Sequence, residues 1–194
     1  MVRYEWSVFA DERPHGYDHS MIRSFADKIP TIAQTAFVDE TALVIGDVVL
    51  GAESSIWPMT VVRGDIHHIR IGERSNIQDG SILHVTHDSQ YKPGGSPLVV
   101  GDDVTVGHGV ILHACTIGSR CLIGMGSIVM DDAVIEDGAM LGAGSLVNTG
   151  KQIEAGYLWL GRPARRVREL TDGEKEYIKY SASHYVDVMK RHRA

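Results

Sequence analysis

The chain has 194 residues, and 43% of them are hydrophobic, which is enough for one sizeable core. The net charge is −6, and the basic residues form no long stripe before the C-terminal region, which argues against nucleic acid as a partner. The chain has no run of 18 apolar residues and no N-terminal apolar stretch of signal-peptide length, so we expect no membrane segment and a soluble, cytoplasmic protein.

Residues 1–30 show no repeat, and we predict that they form an N-terminal arm. Across residues 31–160, by contrast, an aliphatic residue tends to recur every six positions. Late in the chain these markers are Ile117, Ile123, Val129, Ile135, Leu141, Val147 and Ile153. Earlier they form triplets separated by irregular steps, namely Leu50, Ile56 and Val62, then Ile71, Ile77 and Leu83, then Val100, Val106 and Leu112.

A six-residue period suits one short strand followed by a corner, and three such steps close one triangular turn. Stacked turns bury the aliphatic columns in a shared core, so the predicted fold is all-β, a parallel β-helix of hexapeptide repeats. A small side chain two positions before most markers supports this register. Cys115 and Cys121 occupy such positions, and we interpret both as small core residues.

Residues 161–194 are predicted to form a turn and then a C-terminal α-helix. Thr171 and Glu174 have the spacing of a capping box, which marks the start of that helix. We expect one face of the helix to pack along the coil or onto a neighbouring subunit, and this face carries Ile178, Ser181, Tyr185 and Val188.

The register relates three histidines to one another. His84 and His113 each follow the third marker of a turn, so they share one outward column with backbones about 4.8 Å apart, as two ligands of one metal require. His108 lies two residues after a second marker and points from another face. His108 and His113 are five positions apart in extended chain, which is too far for both to reach one ion at about 2.0–2.1 Å, so another copy must supply the third ligand. We therefore predict a homotrimer around a three-fold axis.

Two charged residues fit the same scheme. Arg63 lies in the column of His84 and Asp79 in the column of His108, so we expect them to pair across the subunit interface. Three histidines with an open fourth position are typical of catalytic rather than structural zinc. A metal held in this way lowers the pKa of a bound water, so that hydroxide forms near neutral pH.

Four stretches of the sequence resemble gamma-class carbonic anhydrases of the hexapeptide-repeat family. They read "VVRGD" at 61–65, "NIQDG" at 76–80, "LH" at 83–84 and "HGVILH" at 108–113. The resemblance implies a left-handed coil, a homotrimer and metal-dependent hydration of carbon dioxide to bicarbonate. It also implies Zn²⁺ as the cofactor, with Fe²⁺ or Co²⁺ tolerated.

The same resemblance assigns roles to individual residues. It implies that the metal ligands are His84, His108 and His113, with His108 donated across the trimer interface. Around them, the residues implied to organise the interface and the bicarbonate site are Arg63, Asp65 and Asp79, and the residue implied to hydrogen-bond the metal-bound hydroxide is Gln78.

The sequence differs from the family in the segments that are expected to carry protons out of the site. Well-studied members carry glutamates in two segments that here read "RGDIHH" and "HVTHDSQYKPGGSP", with no glutamate in either. We therefore expect low activity, with His87 or Asp88 as candidate proton relays.

Two alternative functions remain open from the sequence. One is action on coenzyme A esters: the segment "GRPAR" at 161–165 resembles the end of the coil in coenzyme A acyltransferases, and the same metal hydroxide could serve a coenzyme A-ester thioesterase. The other is a non-enzymatic trimeric scaffold that the metal stabilises.

Overall fold

The computed structural model describes residues 21–193, which form a parallel β-helix followed by one α-helix. Its early strands are β1 (Ile22–Arg23), β2 (Thr31–Ile32), β3 (Phe37–Val38), β4 (Leu43–Leu50), β5 (Ser55–Ile56), β6 (Val61–Ile71), β7 (Asn76–Ile77), β8 (Ile82–His84), β9 (Leu98–Val100), β10 (Thr105–Val106) and β11 (Ile111–His113). The later elements are β12 (Thr116–Ile117), β13 (Leu122–Ile123), β14 (Ile128–Val129), β15 (Val134–Ile135), β16 (Met140–Leu141), β17 (Leu146–Val147), β18 (Gln152–Ile153), β19 (Tyr157–Gly161), β20 (Ala164–Glu169) and α1 (Asp172–His192).

Apart from the antiparallel pair of β19 and β20, the strands stack with the register that the six-residue period predicts. One eight-stranded sheet runs in the order β20-β19-β16-β13-β10-β7-β5-β3. The strands of the other two faces form a single 12-stranded sheet. The 11-residue strand β6 joins the two faces, because its first part pairs with β8 and its last part pairs with β9. Ile123 aligns with Leu141, three six-residue steps later, in a parallel pair. The predicted β-helix of hexapeptide repeats is thereby confirmed.

The aliphatic columns form one continuous core inside the coil. Ile77, Leu83, Leu112 and Ile123 have no exposed surface, as inward-facing markers should. Cys121 is equally buried and unpaired, and burial raises the pKa of its thiol to about 11. Cys115 is also buried and free, so both cysteines are small core residues.

The C-terminal helix starts as predicted, but it is rotated relative to the expected face. Thr171 and Glu174 form the reciprocal capping box. The fully buried side chains are Ile178, Ser181, Ala182, Val186 and Met189, while the predicted Tyr185 and Val188 are only partly buried. Eleven residues make close to three full helical turns, so Met189 shares a face with Ile178 whereas Val188 lies beside it. Tyr185 and Val188 still pack against the cluster that contains Trp57 of the coil. The predicted face therefore does contact the coil, with these two residues at its edge.

The end of α1 contacts the first turns of the coil. The Arg193 guanidinium donates to the carbonyl oxygens of Thr35 at 2.7 Å and Gln34 at 2.9 Å. Lys190 pairs with Glu53 at 2.8 Å. The helix therefore runs from the last turn of the coil back to its beginning.

Residues 1–20 of the predicted N-terminal arm lie outside the described residues. Its next part is joined to the coil, because Ile22 and Arg23 pair in parallel with Val44 and Ile45 of β4. Across residues 21–193 no helix is long and apolar enough to cross a lipid bilayer.

Candidate metal and active site

Two of the three predicted metal ligands lie side by side. His84 at the end of β8 aligns with His113 at the end of β11, and Nδ1 of His84 is 3.2 Å from Nε2 of His113. Burial lowers the pKa of His84, which favours the neutral imidazole that a metal binds. The register therefore stacks these histidines as the sequence predicts.

Each stacked histidine has an aspartate on its outer nitrogen. Nε2 of His84 lies 3.1 Å from Oδ1 of Asp65, and Nδ1 of His113 lies 2.7 Å from Oδ1 of Asp131. Burial alone would raise the pKa of either carboxyl, but the hydrogen bonds that each accepts outweigh burial and hold both pKa values below their usual range. Both aspartates are therefore ionised acceptors that fix the outer hydrogen of each ring.

The inner nitrogens suit a bound cation. An ionised carboxylate can only accept, so the outer nitrogens carry the hydrogens and the inner nitrogens turn their lone pairs toward each other. Two lone pairs 3.2 Å apart repel unless a cation lies between them. Two nitrogens bound to one tetrahedral zinc at about 2.0–2.1 Å are roughly 3.3 Å apart. The donor set of His84 and His113 therefore fits a metal ion.

The third histidine repeats the pattern at another corner of the coil. His108 follows β10 of the eight-stranded sheet, and its Nδ1 lies 2.9 Å from Oδ2 of Asp79. Its side chain is 51% exposed, and the Asp79 contact leaves Nε2 free. Within residues 21–193 no group of three or more histidine, cysteine or acidic side chains gathers as a metal site. A single chain therefore brings together two of the predicted ligands and holds the third apart.

Arg63 has a partner in its own chain. Its Nη1 donates to Oδ2 of Asp65 at 2.6 Å, so Asp65 contacts both Arg63 and His84. The pair between Arg63 and Asp79 of another copy stays a prediction.

Gln78 is held by a buried polar chain beneath α1. Its Nε2 donates to Oδ1 of Asn76 at 3.0 Å, Asn76 donates to Thr105 at 3.1 Å, and Thr105 donates to Ser181 of the helix at 3.0 Å. This chain fixes the amide of Gln78 and leaves its oxygen available to accept a hydrogen bond. Gln78 and His108 line the same groove.

The candidate proton relays lie on a hairpin at residues 86–96, between β8 and β9. Asp88 accepts a hydrogen bond from the backbone of Gly94 at 2.7 Å, so its carboxylate closes the hairpin turn. His87 is exposed on the same hairpin. Of the two, His87 has the freer side chain.

Sequence reasoning missed Asp131 and Thr86. Asp131 lies at the corner after β14, one layer beyond His113, and Thr86 lies on the hairpin two residues after His84. The register could have placed Asp131 near His113, since Val129 aligns with Leu112. Nothing in the six-residue period indicates the fold of the hairpin.

Comparisons with known proteins agree with this fold. The bacterial transferase hexapeptide family model matches residues 114–149. The chain is 54% identical over 166 residues to Protein YrdA of Escherichia coli, covering 86% of this chain and 90% of that protein. It is 46% identical over 174 residues to a carbonic anhydrase of Geobacillus kaustophilus, covering 90% and 92%.

A solved structure is also similar along most of its length. A protein of Bacillus cereus described as a putative acetyltransferase superposes with a TM-score of 0.83 at 45% identity, covering 88% of this chain and 95% of that chain. The family model over residues 114–149 and relatives that cover 86% or more of this chain agree on the hexapeptide-repeat fold. The chain therefore belongs to the gamma carbonic anhydrase-like proteins of the hexapeptide-repeat family.

Proposed function

We propose that this protein hydrates carbon dioxide to bicarbonate, with each metal site shared between two subunits of a homotrimer. The proposal rests on the observation that a single chain brings two of the predicted ligands together and holds the third apart. His84 and His113 present converging nitrogens 3.2 Å apart, and His108 presents a free nitrogen from another corner. A site with all three imidazoles therefore needs a second copy of the chain.

The outer surface beside the two stacked histidines supports this assembly. On the face of the coil that carries the two stacked histidines, five aligned strands each have an apolar residue immediately before the inward-facing marker. The side chains of these five residues point outward. Ile82 in this ladder is 45% exposed. The other four side chains are partly exposed, and such an apolar strip beside an incomplete site is suited to packing against another subunit. The ladder consists of Val61, Ile82, Ile111, Ile128 and Leu146.

Three imidazoles with an open position are the ligands that Zn²⁺ takes in catalytic sites, and Fe²⁺ and Co²⁺ accept imidazole as well. When bound, such a metal acts as a Lewis acid that makes water nucleophilic near neutral pH. Each histidine holds its outer hydrogen on an aspartate, which is the arrangement that orients metal-binding imidazoles in proteins.

The remaining residues act on the substrate and its protons. The oxygen of Gln78 accepts a hydrogen bond from the attacking water and so orients a lone pair of that water toward the carbon of carbon dioxide. The guanidinium of Arg63, fixed by Asp65, offers positive charge to the bicarbonate that forms. His87, exposed on the hairpin, carries the released proton to solvent.

The test is stopped-flow hydration of carbon dioxide by protein of known metal content. We expect the rate to follow the metal content and to vanish in His108→Ala, while His184→Ala, an exposed histidine of α1, keeps full activity. A metal-loaded trimer that does not hydrate carbon dioxide would contradict the proposal and leave thioester hydrolysis or the scaffold alternative.

Mixed trimers test the shared site directly. His84→Ala and His108→Ala subunits are each inactive alone in this scheme. When they are unfolded and reassembled in equal amounts, random assortment restores about a quarter of the sites, because one subunit then supplies both stacked ligands and its neighbour supplies His108. No recovery of activity would place all the ligands within one chain.

One observation favours a second candidate, hydrolysis of esters or coenzyme A thioesters. A groove of about 380 Å³ opens beside Gln78 and His108, and this volume is in the range of roughly 300–1,000 Å³ typical of small-molecule pockets. Carbon dioxide needs far less space. The apolar part of the groove is lined by Leu122, Met125, Met140, Tyr177 and Tyr185.

This candidate is tested with hexanoyl-coenzyme A and 4-nitrophenyl hexanoate. Hydrolysis adds water to the carbonyl carbon, breaks the bond to sulfur or oxygen, and leaves a proton on the thiol or alcohol. Met140→Trp fills the groove and should suppress this activity, while Val167→Trp on the exposed strand β20 should not. Equal rates in both variants would exclude the groove as the acyl site.

A further inference from the structure

We propose that Asp131, braced by Thr86, is the positioning residue of His113, and that it makes the two stacked histidines one oriented unit. The inference rests on the metal site proposed above. It concerns two residues for which the sequence motifs indicate no role.

Both oxygens of the Asp131 carboxylate are engaged. Oδ1 lies 2.7 Å from Nδ1 of His113, and Oδ2 accepts a hydrogen bond from the hydroxyl of Thr86 at 2.5 Å. The hydroxyl thus prevents the carboxylate from rotating, and the carboxylate prevents the imidazole from rotating. Nε2 of His113 is then aimed at His84.

These contacts connect the two stacked histidines to each other through the hairpin. Thr86 is two residues after His84 in the chain, and the buried side chain of Val85 anchors the backbone between them. The hairpin is fixed on the other side of Thr86 by backbone hydrogen bonds with Ser96 at 3.0 and 2.9 Å. A displacement of one imidazole is therefore transmitted to the other through Thr86 and Asp131.

The next residue provides a matched control. Asp132 is also a carboxylate at the same corner, and it accepts from Lys92 at 2.6 Å and from Ser96 at 2.6 Å. It holds the same hairpin to the coil but contacts neither histidine. Removing Asp132 breaks two contacts with the hairpin and removing Asp131 breaks one, so the Asp132 variant should loosen the hairpin at least as much without releasing His113.

The first experiment uses metal-free protein and the ¹⁵N NMR spectrum of its histidines. We expect His113 to carry its hydrogen on Nδ1 in the wild type and in Asp132→Ala, and to become a mixture of tautomers in Asp131→Ala. Thr86→Val should give a partial mixture, and Thr86→Ser, which keeps the hydroxyl, should restore the wild-type spectrum. A wild-type His113 with its hydrogen on Nε2 would overturn the inference.

The second experiment measures Co²⁺ affinity by chelator competition together with the visible spectrum of the bound ion. Loss of an outer carboxylate partner lowers metal affinity by about 10- to 100-fold, and we expect this in Asp131→Ala and not in Asp132→Ala. Equal affinities in the two variants would contradict the inference. If the wild type binds Co²⁺ but does not hydrate carbon dioxide, the proposed function fails while this comparison still decides the role of Asp131.

Discussion

The late turns of the coil and its middle turns are built from the same repeat but differ in what they carry. From β12 to β18 the period is strictly six, and none of the predicted site residues lies there. Between β6 and β11 the period is broken by an 11-residue strand and by the hairpin at 86–96, and all the predicted site residues lie in this region. The late turns mainly supply stability, although Asp131, at the corner after β14, contacts a predicted ligand, and the middle turns carry the predicted ligands themselves. Substitutions in the two regions should therefore affect different properties.

The largest expected effect is on activity, in the middle turns. His113→Ala removes one of the two stacked ligands, so metal content should fall and hydration should drop by more than the roughly 100-fold seen for outer partners. The metal-free variant should unfold at nearly the wild-type temperature, because this side chain is 38% exposed. Metal analysis, stopped flow and thermal unfolding check the three parts. Full metal content with full activity would contradict the assignment.

The opposite result is expected in the late turns. Ile135→Ala opens a cavity beneath a side chain with no exposed surface, and it should lower the free energy of unfolding by about 2–5 kcal/mol. Co²⁺ affinity should not change. Urea denaturation measures the free energy of unfolding. The control is Val134→Ala at the neighbouring outward-facing position, which should lower this free energy by less. Equal losses in the two variants would mean that the inward column does not dominate stability.

A smaller effect is expected where the coil joins the helix. Thr171→Ala removes the side chain that accepts from the backbone of Glu174, and loss of such a cap lowers the free energy of unfolding by about 0.5–2 kcal/mol. Thr149→Ala, at an exposed turn of the coil, is the matched control. Denaturant unfolding should separate the two. A cap variant as stable as its control would show that tertiary contacts alone define the helix start.

The smallest effect depends on pH. Hydrogen bonds from Arg168 and from the backbone of Thr171 lower the pKa of Glu174 from 4.5 to about 2. A depressed carboxyl pKa means that the contribution to stability is complete above about pH 4.5 and is lost as the pH falls toward 2. The stability difference between wild type and Glu174→Gln should therefore shrink over that interval. A constant difference from pH 6 to pH 2 would assign the effect to packing instead.

The sequence predicts most of the frame of the site. The stacking of His84 on His113 and the separation of His108 follow from the period alone, because each repeat fixes which face a residue occupies. The links from Asp131 to Thr86 and His113 escape that reasoning, since they depend on how an insertion folds against a different layer. The buried face of α1 was predicted only in part, because several of its apolar residues are only partly buried. The sequence alone therefore does not fix how the helix is rotated about its axis when it packs on the coil.

The course of α1 has a consequence for how the molecule unfolds. A stack of repeats that contact only their neighbours loses its end layers first and opens step by step. With 21 residues at about 1.5 Å each, α1 is about 32 Å long, the height of roughly six or seven layers. Its final residues hold the first turns through Arg193 and Lys190. The first and last layers are thereby tied together, so we expect the coil to open in one cooperative transition, in which urea unfolding curves from circular dichroism and from tryptophan fluorescence coincide.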